Sequence, residues 1–187
     1  MFTVVFDACV LYPAPLRDLL MQLATARLFR VKWSHQIHDE WTRNLLKNRQ
    51  DLTSEALQRT VECMNKALPD ALVEGHEFLI DVIHLPDADD RHVVAAAIRG
   101  RADAIVTTNL RDFPASELEK HNLEAIHPDD FVSYQLDLDQ GAVLECARVH
   151  RARLINPPKT PDEYLDTLLA QALPKTVSAL ASFKTLL

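Results

Sequence analysis

Glycine is scarce in this chain: three residues in 187, set against ten prolines. So few residues free to take positive φ leave little room for tight hairpins, and a helix-rich protein is expected. Cysteine is scarce too. Cys9, Cys63 and Cys146 are odd in number and widely spaced, with no CxxC, so neither a disulfide framework nor a zinc ribbon organises the fold. No apolar run approaches the roughly 20 residues that a membrane-spanning helix needs. The opening MFTVVFDAC has neither the basic leader nor the small-residue cleavage site of a signal peptide, so a cytoplasmic protein is expected. Low-complexity tracts and internal repeats are also missing.

Positive charge is short overall, with a formal net charge of −7, which argues against broad nucleic-acid affinity. Its distribution is uneven. Residues 1–136 hold 14 Lys+Arg against 21 Asp+Glu, while residues 137–187 hold six of each and are neutral. Within the acidic part, residues 16–49 carry seven bases (Arg17, Arg27, Arg30, Lys32, Arg43, Lys47, Arg49) against Asp18, Asp39 and Glu40. Such a segment can meet phosphates, or it can be a solvated helical surface.

What is present is a 48% hydrophobic chain in which strand-length apolar runs alternate with helical spacing. FTVVF reads as a buried strand ended by Asp7. LRDLLMQLATARLF is helical, VKWS a short strand or connector, and HQIHDEWTRNLLKN a helix capped by Ser34. DLTSEALQRTVECMNKAL gives another helix, and residues 71–80 give no clear reading. DVIHL is expected as a strand, RHVVAAAIRG as a helix closed by Gly100, ADAIVTTN as a buried strand and EAIH as a further strand. A short polar helix, ASELEKHN, lies between the last two, and PDDFVSYQL starts another helix. Strands separated by helices predict a parallel α/β sheet. From about residue 137 the pattern is purely helical, with a capping box at Thr160-Pro161-Asp162-Glu163 and a hinge expected at Asn156-Pro157-Pro158-Lys159. The expected domains are therefore 1–136 and a helical extension, 137–187.

Ligands of parallel sheets sit outside the carboxyl ends of the strands, near a topological switch point. Asp7 ends the first strand, the Asp87/Asp89/Asp90 cluster precedes a helix, Asn109 and Asp112 follow ADAIVTT, and Glu40 lies on a helix one turn before Arg43 and Asn44. Four acidic segments would then converge. Two carboxylates about 4 Å apart repel by roughly 4 kcal/mol at an effective dielectric near 20, so a group of them calls for a cation. Oxygen donors alone suit Mg²⁺ or Mn²⁺, and the matching chemistry is phosphodiester hydrolysis. Taken singly, each residue has an ordinary structural reading. Asp7 is a turn residue, Asp87 or Asp89 an N-cap, Asp90 a dipole partner in the first helical turn, Glu40 a surface acid, and Ser34, Thr107 and Thr108 structural hydroxyls. His35, His38 and Asp39 could suggest a transition-metal site, but no third His stands at supporting spacing, and a solvated histidine pair is expected.

The blocks VVFDACVL (4–11), SHQIHDEWTRNL (34–45), PDADDRHVVAAAIRGRADAIVTTNLRDF (86–113) and IHPDDFVSYQ (126–135) resemble the PIN domain superfamily, and most of all bacterial VapC-type ribonucleases. That resemblance implies a three-layer α/β/α fold with a central parallel sheet, here followed by a helical C-terminal extension. It implies Asp7, Glu40 and Asp90 as core acids holding Mg²⁺ or Mn²⁺, Asp87 as their support, and Thr107 as a hydroxyl orienting a carboxylate or water. Many relatives carry Asp where Asn109 stands, and Asp112 is the candidate replacement. Arg43, Lys47 and Asn109 are the candidate RNA contacts. The resemblance further implies an RNA substrate, an antitoxin partner and a homodimer. Two other classes compete: a PIN-like module that only binds RNA or protein, and a haloacid-dehalogenase-like phosphatase using Asp7 as nucleophile. The latter lacks its second Asp, because Cys9 occupies that position.

Overall fold

The structure, a computed structural model, describes all residues from Met1 to Leu187. In chain order its first elements are β1 (Thr3–Phe6), α1 (Ala8–Leu11), α2 (Ala14–Thr25), β2 (Arg30–Lys32), α3 (His35–Asn48), α4 (Ser54–Ala67) and α5 (Arg91–Arg99). Then come β3 (Ala104–Val106), α6 (Ala115–Leu118), β4 (Glu124–Ile126), α7 (Pro128–Leu138), α8 (Gln140–Arg153), α9 (Pro161–Leu169) and α10 (Pro174–Ala181). The fold class is α/β, a central all-parallel sheet flanked by helices, with further helices at the C-terminus. No helix is long and apolar enough to cross a membrane.

The chain divides into two compact units. The first comprises Met1–Tyr12 and Phe29–His127 and holds the whole sheet. Its strand order is β2-β1-β3-β4, with β1 pairing in parallel to β2 on one side and β3 on the other. The direction of winding therefore reverses between β1 and β3, which makes their carboxyl ends the switch point. Val4, Val5 and Phe6 of β1 and all of β3 are fully buried, as expected for a sheet covered on both faces. α5 packs on β1 and β3. Its Val93–Ala97 run is buried throughout, and the three alanines keep that run small in volume. Ser34 caps α3 by accepting the Ile37 N–H at 3.2 Å, and Thr53 does the same for α4 through Ala56.

The second unit comprises Pro13–Leu28 and Pro128–Leu187. Within it α2 packs on α8, and α7 packs on both α8 and α10. The expected capping box of α9 is present, with Thr160 and Glu163 exchanging both bonds. Asp129, from the PDDF stretch, serves the fold, because its carboxylate accepts the Lys175 and Thr176 N–H groups, each at 2.9 Å, at the start of α10. His150 Nδ1 and the Tyr164 hydroxyl meet at 3.0 Å inside this unit. The Asn156–Pro157 bond is cis. Residue 136 lies within α7, whose start at Pro128 is also the edge of the second unit.

One expectation is corrected. DVIHL is not a strand: residues Glu77–Val82 wind as a 3₁₀ helix. Ile83 is buried while Val82 is 64% exposed, so the apolar letters tether a turn, packed with α5, instead of filling a ladder. Gly100 closes α5 as its C-cap residue, as expected, but without a positive φ. It has φ −77°, and the left-handed residue is Arg101 at φ 51°. Ala102 N–H then bonds Ala97 O at 2.9 Å and Arg101 N–H bonds Ile98 O at 3.1 Å, a Schellman closure. Gly100 is needed for space. A Cβ there would lie 2.9 Å from the Ala96 carbonyl oxygen and 3.0 Å from a Val73 methyl.

These neighbours predict opposite outcomes. Gly100→Ala should destabilise by about 1–3 kcal/mol through overpacking against backbone. Arg101→Gly should gain about 0.5–1 kcal/mol, the left-handed penalty less the entropy cost of glycine. Urea midpoints of the two variants decide it, and equal shifts of the same sign would contradict the assignment.

Candidate active site

The site forms where β1 and β3 end. Asp7 follows β1, its N–H still bonded to Val106 O at 3.1 Å, so the sheet ladder fixes where its side chain starts. Only 4% of the residue is exposed. Thr107, fully buried, follows β3, and its hydroxyl donates to Asp7 Oδ2 at 2.7 Å while accepting the Asn109 N–H at 3.0 Å. The resemblance expected Thr107 to orient a carboxylate or water, and its hydroxyl lies in hydrogen-bond contact with the Asp7 carboxylate. Burial pushes the Asp7 acid group upward from its ordinary value, with a contribution from the charge on Glu40; the bonds from Cys9 and Thr107 oppose it.

Asp90 lies opposite, on the turn that leads into α5. Here the local expectation fails. Neither Asp87 nor Asp89 caps the helix; Asp90 itself occupies the N-cap position, and its side chain makes no capping bond. Asp87 Oδ1 instead accepts the Asp89 N–H at 2.9 Å, holding the turn. Asp90 is pushed up to about 7, first by burial, then by the charges of Asp7, Asp87, Glu40 and Asp112. All four acidic segments therefore act on one carboxyl group. Oxygens of Asp87, Asp90 and Asp112 lie within 4.8 Å of one another. Asn109 donates its side-chain amide to Asp112, so at the position where many relatives carry a carboxylate, the chain places an amide that holds the neighbouring acid.

Glu40 extends from α3, and its Oε2 lies 3.2 Å from His92 Nε2 on the first turn of α5. Arg43 and Lys47 are exposed on α3. The remainder of the 16–49 basic segment does not form one patch. Arg17 is buried beside Asp18 at 3.5 Å, Arg49 is paired with Asp51 at 2.6 Å, and Lys32 donates to the Asp70 carbonyl.

Two residues with a place in the site were not singled out by the sequence. Cys9 Sγ sits 3.0 Å from Asp7 Oδ2 and 3.3 Å from the Thr107 hydroxyl, and it accepts the Thr108 N–H at 3.2 Å. Burial and the adjacent Asp7 charge push its thiol up to about 12, so it is a neutral donor. Its only sequence signal was standing two positions after Asp7. His92 had none, since its partner is 52 residues away. The expected solvated pair of His35 and His38 is also corrected. His38 is buried, accepts the Trp41 indole N–H at 3.0 Å on Nδ1, and is pushed down to about 4 by burial. His35 is exposed, 3.9 Å from Glu74.

Hard oxygen donors are crowded at the switch point of an open parallel sheet, with no lysine or arginine paired to Asp7, Asp87, Asp90 or Asp112. The description of the PIN domain matches residues 3–111, and that of the VapC50 C-terminal domain matches residues 128–182. The chain belongs to the PIN domain family, as the sequence blocks implied, and its helical tail, outside those blocks, has a described counterpart as well. Over 79 residues it is 48% identical to "Putative ribonuclease VapC50" of Mycobacterium tuberculosis (strain ATCC 25618 / H37Rv). That alignment covers 42% of this chain and 47% of the relative, so the chain spans about half the length of the curated protein it matches. No solved structure matches.

Asp90 and Asp7 both ionise less readily in the folded chain than in an unfolded one, so folding takes up protons. In EDTA, the part of the stability that comes from Asp90 and Asp7 should fall as pH rises from about 4 to about 7, while the buried His38 acts in the opposite sense. Asp90→Asn should make that fall shallower. Melting temperatures across this range test it, and parallel profiles for the two proteins would contradict the assigned crowding.

Proposed function

We propose that this protein is a divalent-metal-dependent endoribonuclease that hydrolyses RNA phosphodiester bonds, and that it is the toxin component of a type II toxin–antitoxin pair. The feature that carries the reading is the convergence of Asp7, Glu40, Asp87 and Asp112 on the Asp90 carboxyl group at the switch point. Membership of the PIN family and the likeness to a protein named as a ribonuclease support it. The same family membership leaves the phosphatase alternative without support, and Cys9 at the position of its required second Asp donates to Asp7 instead. Against the binding-only module stands the retention of Asp7, Glu40 and Asp90 together.

In this reading Asp7, Glu40 and Asp90 hold Mg²⁺ or Mn²⁺, with Asp87 and Asp112 supporting them. The donors fit, since they are all carboxylate oxygens and their mutual repulsion asks for a cation. Once bound, the ion supplies a water of lowered pKa and neutralises charge that develops on the phosphate. The rest is done by the chain. Thr107 and Cys9 fix the Asp7 carboxylate from one side. His92 orients Glu40. Asn109 holds Asp112, which takes over the fourth acidic position, and adds a polar contact for RNA. Arg43 and Lys47 offset the acidic field and draw phosphates toward α3. Every site residue falls within 1–136, taken as the nuclease part, and the helical extension 137–187 follows it. The expected partners are an antitoxin and a second copy of the chain, and the expected location is the cytoplasm.

RNA cleavage should require Mg²⁺ or Mn²⁺ and stop in EDTA. Asp7→Asn and Asp90→Asn should each lower the rate at least roughly 100-fold with the circular dichroism spectrum unchanged, since each removes a charged ligand. Full activity of either variant on single-stranded RNA would sink the mechanism. Charge reversal at Arg43 and Lys47 should weaken RNA binding and flatten its salt dependence by about one unit of slope for each phosphate no longer neutralised. An unchanged slope would place the phosphate-binding cations elsewhere.

A further inference from the structure

A groove of about 300 Å³ opens beside the acidic cluster, walled by Cys9 and Tyr12 on one side and by Glu40, Trp41, Asn44 and Asn48 on the other. Two of its walls belong to the site already described: Cys9 bonds Asp7, and Glu40 is one of the crowded acids. The groove is therefore continuous with the place where a scissile phosphate would sit. Glu40, Asn44 and Asn48 recur at i, i+4 and i+8 on α3, a single stripe with about 6 Å of rise between neighbours. Away from Glu40 the lining changes character. It carries no charge, and offers instead the Tyr12 ring and two exposed primary amides. At its far end the Asn48 amide donates to the Tyr12 hydroxyl at 3.2 Å.

That lining does not suit a phosphate, which would meet no cation there. It suits a nucleobase. An aromatic face stacks on any base, and a primary amide presents both donors and an acceptor to a base edge. The volume lies at the small end of ligand sites, roughly 300–1,000 Å³. The cations of the same helix stand elsewhere: Arg43 and Lys47 follow Glu40 by three and seven residues and lie on the adjoining stripe. One helix thus separates a charged row suited to the RNA backbone from a neutral row suited to its bases. A base paired in a duplex has its edge occupied, so the occupant must be unpaired.

We propose that Tyr12, Asn44 and Asn48 form a subsite for an unpaired nucleobase next to the cleaved phosphodiester, and that they set the sequence preference of cleavage. The proposal rests on the ribonuclease reading above for its substrate class. Tyr12 supplies the stacking surface and, through the Asn48 bond, holds that amide in place. Asn44, one turn from Glu40, reads the base edge.

Binding separates the subsite from the chemistry. The Asp90→Asn protein is titrated, in Mg²⁺, with a short single-stranded RNA and with the same RNA made abasic at each position in turn. One abasic position should weaken binding about tenfold. That loss should disappear in a background also carrying Tyr12→Ala and Asn44→Ala, and persist with Tyr12→Phe, which keeps the ring. In the otherwise unaltered protein, Asn44→Ala and Asn48→Ala should change which base flanks the cut in a randomised RNA pool. Equal binding of intact and abasic RNA, or a base dependence untouched by Tyr12→Ala with Asn44→Ala, overturns the subsite, as does a lack of any RNA binding. Metal-dependent cleavage without base dependence sinks the subsite and leaves the nuclease. Base-dependent binding without cleavage in the unaltered protein does the reverse.

Discussion

A 2.7 Å hydrogen bond from the Thr107 hydroxyl to Asp7 joins the carboxyl ends of the two central strands, and the site is assembled around it. Asp7 is placed by the β1–β3 ladder before its side chain makes any contact. A buried carboxylate is costly unless donors or a cation meet it. Thr107 and Cys9 meet one oxygen of Asp7 and do not neutralise its charge. Burying α5 against β1 and β3 then brings Asp90 to the same place. The core residues Val93–Ala97 and the acid at the head of their helix are thus parts of one arrangement.

The electrostatics of the first unit are those of an acidic centre with a narrow basic margin. The carboxylates of Asp7, Asp87, Glu40 and Asp112 all act on Asp90 at the switch point. On α3, by contrast, Arg43 and Lys47 are the bases left exposed near Glu40, because Arg49 and Lys32 have partners of their own. A polyanion approaching such a surface is repelled by the centre unless a cation fills it, and is guided by the margin. In the proposed nuclease reading, metal and substrate are in that sense coupled by charge before any bond is considered.

The scarcity of glycine has a visible consequence in the backbone. Arg27, Arg101, Asn122 and Ala172 all take positive φ at or just beyond helix ends, positions that glycine fills most often. Arg101 and Asn122 close their helices with the paired bonds of a Schellman motif, Ala102 to Ala97 and Leu123 to Leu118 for the longer of each pair. The one helix-end glycine, Gly100, is kept for close approach to Val73 and the Ala96 carbonyl.

The parallel sheet was legible in the sequence because it is written in local periods, apolar runs of strand length between capped helices, and the family was legible through the resemblance of four sequence blocks. Ser34, Thr53 and Thr160 act on residues within one turn of themselves, and two of these caps were legible for that reason. What stayed hidden depends on contacts between distant segments. Nothing near His92 announces Glu40, and nothing near Cys9 announces Thr107. His38 looks like a surface residue until Trp41 and the surrounding core bury it. In the 87–90 turn, Asp87 or Asp89 was expected as the cap because capping is the local rule, and Asp90 takes that position without a capping bond. Only the tertiary structure decides that Asp90 faces Asp7, Glu40 and Asp112, since that depends on which strand ends the sheet places side by side.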